Sequence, residues 1–235
     1  MDSVLECVSL TKKYSAKTAL DGISVSVPKG AVVGLLGPNG SGKTTLLKLA
    51  AGLLQPTGGS IEVCGFKPGV ESKEISAYQP DRVYLNDWMT VGDLVKMMAD
   101  FYPDFRTDKA HEMLKDLNIG LESKLKSLSK GNKEKVQLIL TMSRDVQLYM
   151  LDEPIGGVDP AARDYILETI IANRDKDATV IISTHLISDI EPFLNYVLFL
   201  HDGRLIRQGE VDKIRTETGM SIDALFREDF KLRQS

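Results

Sequence analysis

The sequence predicts an α/β fold with a mostly parallel sheet, peripheral antiparallel strands and a helical subdomain inserted into the α/β core. Three observations carry this. Short apolar runs at 31–36, 148–151, 179–182 and 196–200 have the length and composition of strands buried on both faces. Helical stretches at 43–53, 160–173 and 186–194 alternate with them, as crossovers between parallel strands require. Between 83 and 143 the pattern turns helical throughout.

Taken in order, Val4, Glu6, Val8 and Leu10 alternate with Leu5, Cys7 and Ser9, and Ile23-Ser24-Val25-Ser26-Val27 alternates more cleanly. Both read as antiparallel, peripheral strands. The 31–36 run reads as a buried parallel strand, followed by a glycine-rich loop and a helix carrying Leu46, Leu47, Leu49 and Ala50. Thr90-Val91-Gly92-Asp93 has the form of a capping box. Leu94, Met97, Met98 and Phe101 then repeat at helical spacing. Residues 109–117 and 130–143 read as further helices, the last with Val136, Ile139 and Leu140 on one face. From Val146 the α/β pattern resumes, and the last strand ends in the turn His201-Asp202-Gly203. Residues 1–210 therefore read as one domain with the helical subdomain at about 83–143, and 211–235 as a short C-terminal helical cap.

The 235 residues are 43% hydrophobic and 26% charged, with a formal net charge of -4. This is a globular composition without the global basic field of nonspecific nucleic-acid binders. Cys7 and Cys64 stand far apart and form neither a CxxC pair nor a disulfide framework, which fits a reducing cytoplasm. No run approaches the ~18 apolar residues of a membrane helix, and the acidic opening Met1-Asp2-Ser3-Val4-Leu5-Glu6 has no signal-peptide core. Any service to a membrane is expected from the water side, through a partner.

Gly37-Pro38-Asn39-Gly40-Ser41-Gly42-Lys43-Thr44 matches the phosphate-binding pattern G-x-x-x-x-G-K-[ST], between an apolar strand and a helix. This points to a P-loop NTPase core. Glycines let backbone N–H groups turn inward around phosphate oxygens, and the helix N-terminus adds partial positive charge. Asn39, Gly40, Ser41, Gly42, Lys43, Thr44 and Thr45 are the candidate ATP-binding residues. Lys43 supplies a point charge for the outer phosphates, and the Thr44 hydroxyl suits Mg²⁺, a hard ion that takes oxygen ligands. The motif alone does not separate a kinase from a motor.

Tyr149-Met150-Leu151-Asp152-Glu153-Pro154 ends an apolar strand in two acids. Ligand sites in parallel sheets lie at the carboxyl ends of strands, so both acids are expected beside the phosphate loop. Asp152 would hold Mg²⁺ directly or through water. Glu153 would act as general base on the attacking water, a role typically contributing ~10²–10⁴ in rate. His185, just past the 179–182 run, is expected at the same edge, within reach of the terminal phosphate. A structural histidine is an equally good reading of that position taken alone.

Leu128-Ser129-Lys130-Gly131-Asn132 is similar to the LSGGQ signature of ABC proteins, with Lys130 and Asn132 as departures. With it the chain resembles the nucleotide-binding subunit of an ABC transporter, from about Leu5 to Gly209. The resemblance implies that Tyr14 stacks on adenine, that Asp159 in Gly157-Val158-Asp159 contacts a neighbouring subunit, and that His185 is the switch histidine. It also implies a head-to-tail dimer, homomeric or heteromeric, around two ATP molecules. Each ATP would sit between Lys43 of one chain and Ser129, Lys130, Gly131 and Asn132 of the other. It further implies separate transmembrane permease subunits, no nucleic-acid partner and a peripheral place on the inner face of the cell membrane. Tyr84, Leu85, Trp88, Met89, Met97 and Met98 would form the permease groove, although such a cluster equally reads as plain core.

One position departs chemically. In Tyr78-Gln79-Pro80-Asp81, Asp81 falls where the family carries glutamine, and Gln79 stands two residues early. A carboxylate there can bind Mg²⁺ or orient water, but it adds negative charge and cannot donate a hydrogen bond. Asp81, the Lys130-bearing signature and the short tail resemble exporter subunits. A soluble ABC-type ATPase serving an assembly scaffold is the alternative. The signature and Glu153 argue against a kinase.

Overall fold

The computed structural model describes residues 3–156, 158 and 160–231. β1 (Ser3–Tyr14) and β2 (Lys17–Pro28) pair antiparallel, and β1 pairs again with β4 (Gly58–Val63), giving the three-stranded order β2-β1-β4. β3 (Val32–Leu36), β5 (Ser76–Gln79), β6 (Leu148–Asp152), β7 (Thr179–Thr184) and β8 (Tyr196–His201) run parallel in a second sheet. β9 (Arg204–Glu210) closes its edge antiparallel to β8, and the order is β5-β6-β7-β3-β8-β9. β3, β6 and β7 are buried at every position, as strands covered on both faces must be.

α1 (Lys43–Ala50) fills the space between the sheets. Its Leu46, Leu47 and Leu49 pack with Leu5 and Val27 of the small sheet and Val33 and Leu35 of β3. The short α2 (Val70–Glu74) precedes β5. On the opposite face of the large sheet lie α3 (Val91–Phe101), α4 (Thr107–Asp116), α5 (Lys130–Met142) and α6 (Pro160–Asn173). The Thr90 capping box forms in both directions, at 2.9 and 3.0 Å. The buried stripe of α3 is Val91, Leu94 and Val95, while Phe101, in the last turn, is 75% exposed.

The expected helix at 186–194 is broken. α7 (Ile187–Ile190) gives way to a 3₁₀ turn at Glu191–Phe193. Pro192 has no N–H to continue the helical ladder. The break turns Glu191 toward the tail, where α8 (Val211–Thr218) and α9 (Ile222–Lys231) follow β9. Glu191 accepts from the Ile222 amide at 2.8 Å, the Asp223 amide at 3.1 Å and Arg215 at 2.8 Å. It thus caps the N-terminus of α9 from 31 residues away. Burial pushes its carboxyl up, but these hydrogen bonds outweigh burial and hold it below the ordinary carboxylate range. Phe226 packs edge-on against Phe199 of β8, and Ile222 and Leu225 are buried in the core. Among the described residues no helix is long and apolar enough to cross a membrane.

Candidate functional site

The carboxyl ends of β3, β6 and β7 meet at one edge because these strands are neighbours in parallel register, with Asp152 beside Ser183 and Leu36 beside Thr184. From β3 the chain turns sharply through 37–42. Gly40 and Gly42 take positive φ of 81° and 111°. A Cβ on Gly37 would lie 2.3 Å from the Leu200 carbonyl oxygen, and one on Gly42 2.6 Å from that of Ala19. Only glycine fits either position. The turn opens a cavity of about 300 Å³, lined by residues 39–45 together with Tyr14, Lys17, Ala19, Asp81 and Glu153.

Lys43 is 6% exposed, and its ammonium donates to the carbonyls of Gly37 at 2.7 Å and Pro38 at 3.3 Å. It also lies 3.4 Å from Glu153 Oε1. Glu153 stands just past β6 with φ of 49°, a left-handed conformation rare for a side-chain-bearing residue. Its amide donates to the backbone and side-chain oxygens of Ser183 at 3.0 and 3.1 Å. Its second carboxylate oxygen is 3.1 Å from His185 Nδ1. Glu153 is therefore held between a lysine and a histidine at the cavity wall.

Asp152 is fully buried. Its Oδ1 accepts from Ser183 at 2.6 Å and Thr44 at 3.1 Å, and its Oδ2 from the Tyr78 hydroxyl at 3.4 Å. Burial pushes this carboxyl above its ordinary range. The charges of Asp81 and Glu153 add to the shift, and the Ser183 and Thr44 hydrogen bonds only partly offset it. An acid carrying that electrostatic load is suited to a cation. No group of three His, Cys, Asp or Glu forms a self-sufficient metal cage among the described residues. The oxygens of Thr44, Asp152 and Asp81 instead fit Mg²⁺, which takes one or two carboxylates and completes its shell with phosphate and water.

Tyr14 stands at the cavity rim, half exposed, with Lys12 Nζ 5.2 Å from its ring centre. Asp81 lines the cavity, whereas Gln79 is buried away from it. Asp81 also lines a second cavity of about 350 Å³ with Arg82, Lys130, Lys133 and Glu134. Ser129 caps α5, its hydroxyl accepting from the Asn132 amide at 3.3 Å. Ser129, Lys130, Gly131 and Asn132 stay outside the lining of the phosphate-loop cavity in their own chain. A Cβ on Gly131 would meet open space. The expectation for Asp159 lies outside the described residues. Sequence reasoning missed Ser183 and Lys17 and overlooked the Tyr78 hydroxyl. A serine ending an apolar strand was the available signal for the first.

Comparison with known proteins agrees with this geometry. Residues 20–156 match the family described as ABC transporter. An uncharacterized ABC transporter ATP-binding protein, MJ1023 of Methanocaldococcus jannaschii, is 32% identical over 91% of this chain and 80% of its own. The SkfA peptide export ATP-binding protein SkfE of Bacillus subtilis is 29% identical over 87% of this chain and 88% of its own. A solved ATP-binding subunit of an ABC transporter superposes with a TM-score of 0.87 at 30% identity, over 97% of this chain and 100% of that one. This chain, with its phosphate loop and paired carboxylates at one sheet edge, belongs to the ABC transporter family as an ATP-binding subunit of the ATPase class.

Proposed function

We propose that the chain binds ATP with Mg²⁺ on its phosphate loop, closes with a second ATP-binding subunit around two nucleotides, and hydrolyses them to drive a separate permease, in the export direction. The carrying observation is the placement of Glu153 between Lys43 and His185 beside the buried Asp152. Lys43 moves from the loop carbonyls to the outer phosphate oxygens, which frees Glu153 for water. Tyr14 stacks on the base. Thr44, Asp152 and Asp81 would hold Mg²⁺, which when bound would neutralise charge on the phosphates. Glu153 accepts a proton from the water whose oxygen attacks the terminal phosphorus. The bond to the bridging oxygen breaks, leaving ADP and phosphate. His185 orients Glu153 through the 3.1 Å contact.

The Ser129 tip lies outside its own chain's nucleotide cavity, which supports a second subunit as the source of the facing tip. Asp159 is assigned to that same contact. Ser183 holds both carboxylate residues. Ser183→Ala is expected to cost about 1–3 kcal/mol of stability by orphaning buried groups, and to slow phosphate release at least ~10-fold through misplacement of both carboxylates. Denaturant melts and a steady-state assay check both.

The permease reading is supported by Trp88, 72% exposed, with Tyr84 and Phe101 also exposed and Leu85, Met97 and Met98 half-buried. Met89 is buried and belongs to the core. The export direction leans on Asp81 and Lys130. Detergent extraction with a tagged chain is expected to recover a stoichiometric multi-span membrane protein, lost with Trp88→Glu. A soluble scaffold retained by that variant would replace the permease in this reading.

A further inference from the structure

Gln137 is a polar residue in a mostly apolar stretch on α5, and it is 2% exposed. Its Nε2 donates to the Pro80 carbonyl at 3.2 Å and the Arg82 carbonyl at 3.4 Å, and its Oε1 accepts from the Tyr84 amide at 3.1 Å. The two carbonyls flank Asp81. Among the described residues, 80–84 makes no backbone–backbone hydrogen bond. The segment that brings Asp81 to the nucleotide cavity is therefore held, in hydrogen bonds, by one amide side chain on a helix. One turn earlier on α5, Lys133 reaches Asp87 at 2.5 Å, which adds a second strap to the same stretch of chain.

We propose that Gln137 is a positioning residue: from α5 it holds the backbone on both sides of Asp81 and so fixes the place of that residue at the nucleotide cavity. The inference rests on the ATPase reading of that cavity and deepens it. Nε2 serves the backbone on both sides of Asp81 and so sets where its carboxylate points.

The test is a double-mutant cycle in the full chain. Gln137→Met keeps the volume and removes all three hydrogen bonds. It is expected to lower kcat about tenfold, since misplacement of a catalytic-site group by ~1 Å can cost up to about 10². ATP Kd should stay unchanged, the Mg²⁺ concentration for half-maximal rate should rise, and hydrogen exchange at the Tyr84 amide should quicken. In an Asp81→Ala background the same change should have no further effect on kcat. An equal loss in both backgrounds overturns the proposal, as does a silent Gln137→Met, or a silent Asp81→Ala beside a slowed Gln137→Met. Should Gln137→Met fail to fold, Gln137→Glu, which keeps an acceptor for the Tyr84 amide, takes its place in the cycle. Failure of the underlying reading is separate, because Glu153→Gln would then retain turnover whatever the cycle shows.

Discussion

Glu153→Gln will bind ATP and release almost no phosphate. The amide has nearly the shape of the carboxylate, so the wall of the cavity survives, but it cannot accept the proton of an attacking water. Loss of general-base assistance alone accounts for ~10²–10⁴ in rate. The same change removes the charge 3.4 Å from Lys43, leaving the ammonium freer to meet phosphate. ATP affinity should therefore hold or tighten. With hydrolysis blocked, the nucleotide-bridged pair should accumulate, and scattering with ATP should report about twice the monomer mass. Phosphate release at the unsubstituted rate would take Glu153 out of the mechanism.

Asp152→Asn should make the free chain more stable and the enzyme inactive. The folded state binds the Asp152 proton more tightly than the unfolded chain does, because its carboxyl is raised from the ordinary 3.8. The sign follows from linkage. The ionised form carries a cost that is absent below the unfolded value, grows as pH rises from there to the raised folded value, and is complete above it. Asparagine removes that cost and can still accept from Ser183 and Thr44. The substituted chain should melt higher by a few °C at pH 7 (a gain of about 1 kcal/mol suffices), with the difference shrinking in acid. It should lose the Mg²⁺-dependent part of the stabilisation by ATP, and turnover with it. Thermal melts from pH 3 to 8, with and without Mg²⁺ and ATP, check both. A lower melting point at pH 7 with undiminished response to Mg²⁺ and ATP would contradict the account.

What could be read in advance was local. The 31–36 run, the glycine pattern and the Lys43 helix are contiguous in the chain, so strand, loop and helix were legible together. The two acids at 152–153 followed from the rule that parallel strands present their carboxyl ends to ligands. What escaped depends on strand order or tertiary packing. Tyr78 meets Asp152 because β5 lies beside β6, and Ser183 meets it because β7 lies on the other side. By its sequence alone Gln137 is one polar residue in a helix, and only packing against 80–84 gives it partners. Pro192 is a local helix-breaking signal that an unbroken helix over 186–194 leaves out of account. Phe101 kept the helical period yet lies in a last turn that the core does not cover.

The capping of α9 by Glu191 has a mechanical consequence. Glu191 stands six positions after His185 in the chain. Peeling the C-terminal helices away by protease, fusion or a docking protein would unfasten a carboxylate on the same short tether as the histidine that touches Glu153. The two C-terminal helices are thus a handle on the segment that carries His185, and a protein fused beyond them is not a neutral label.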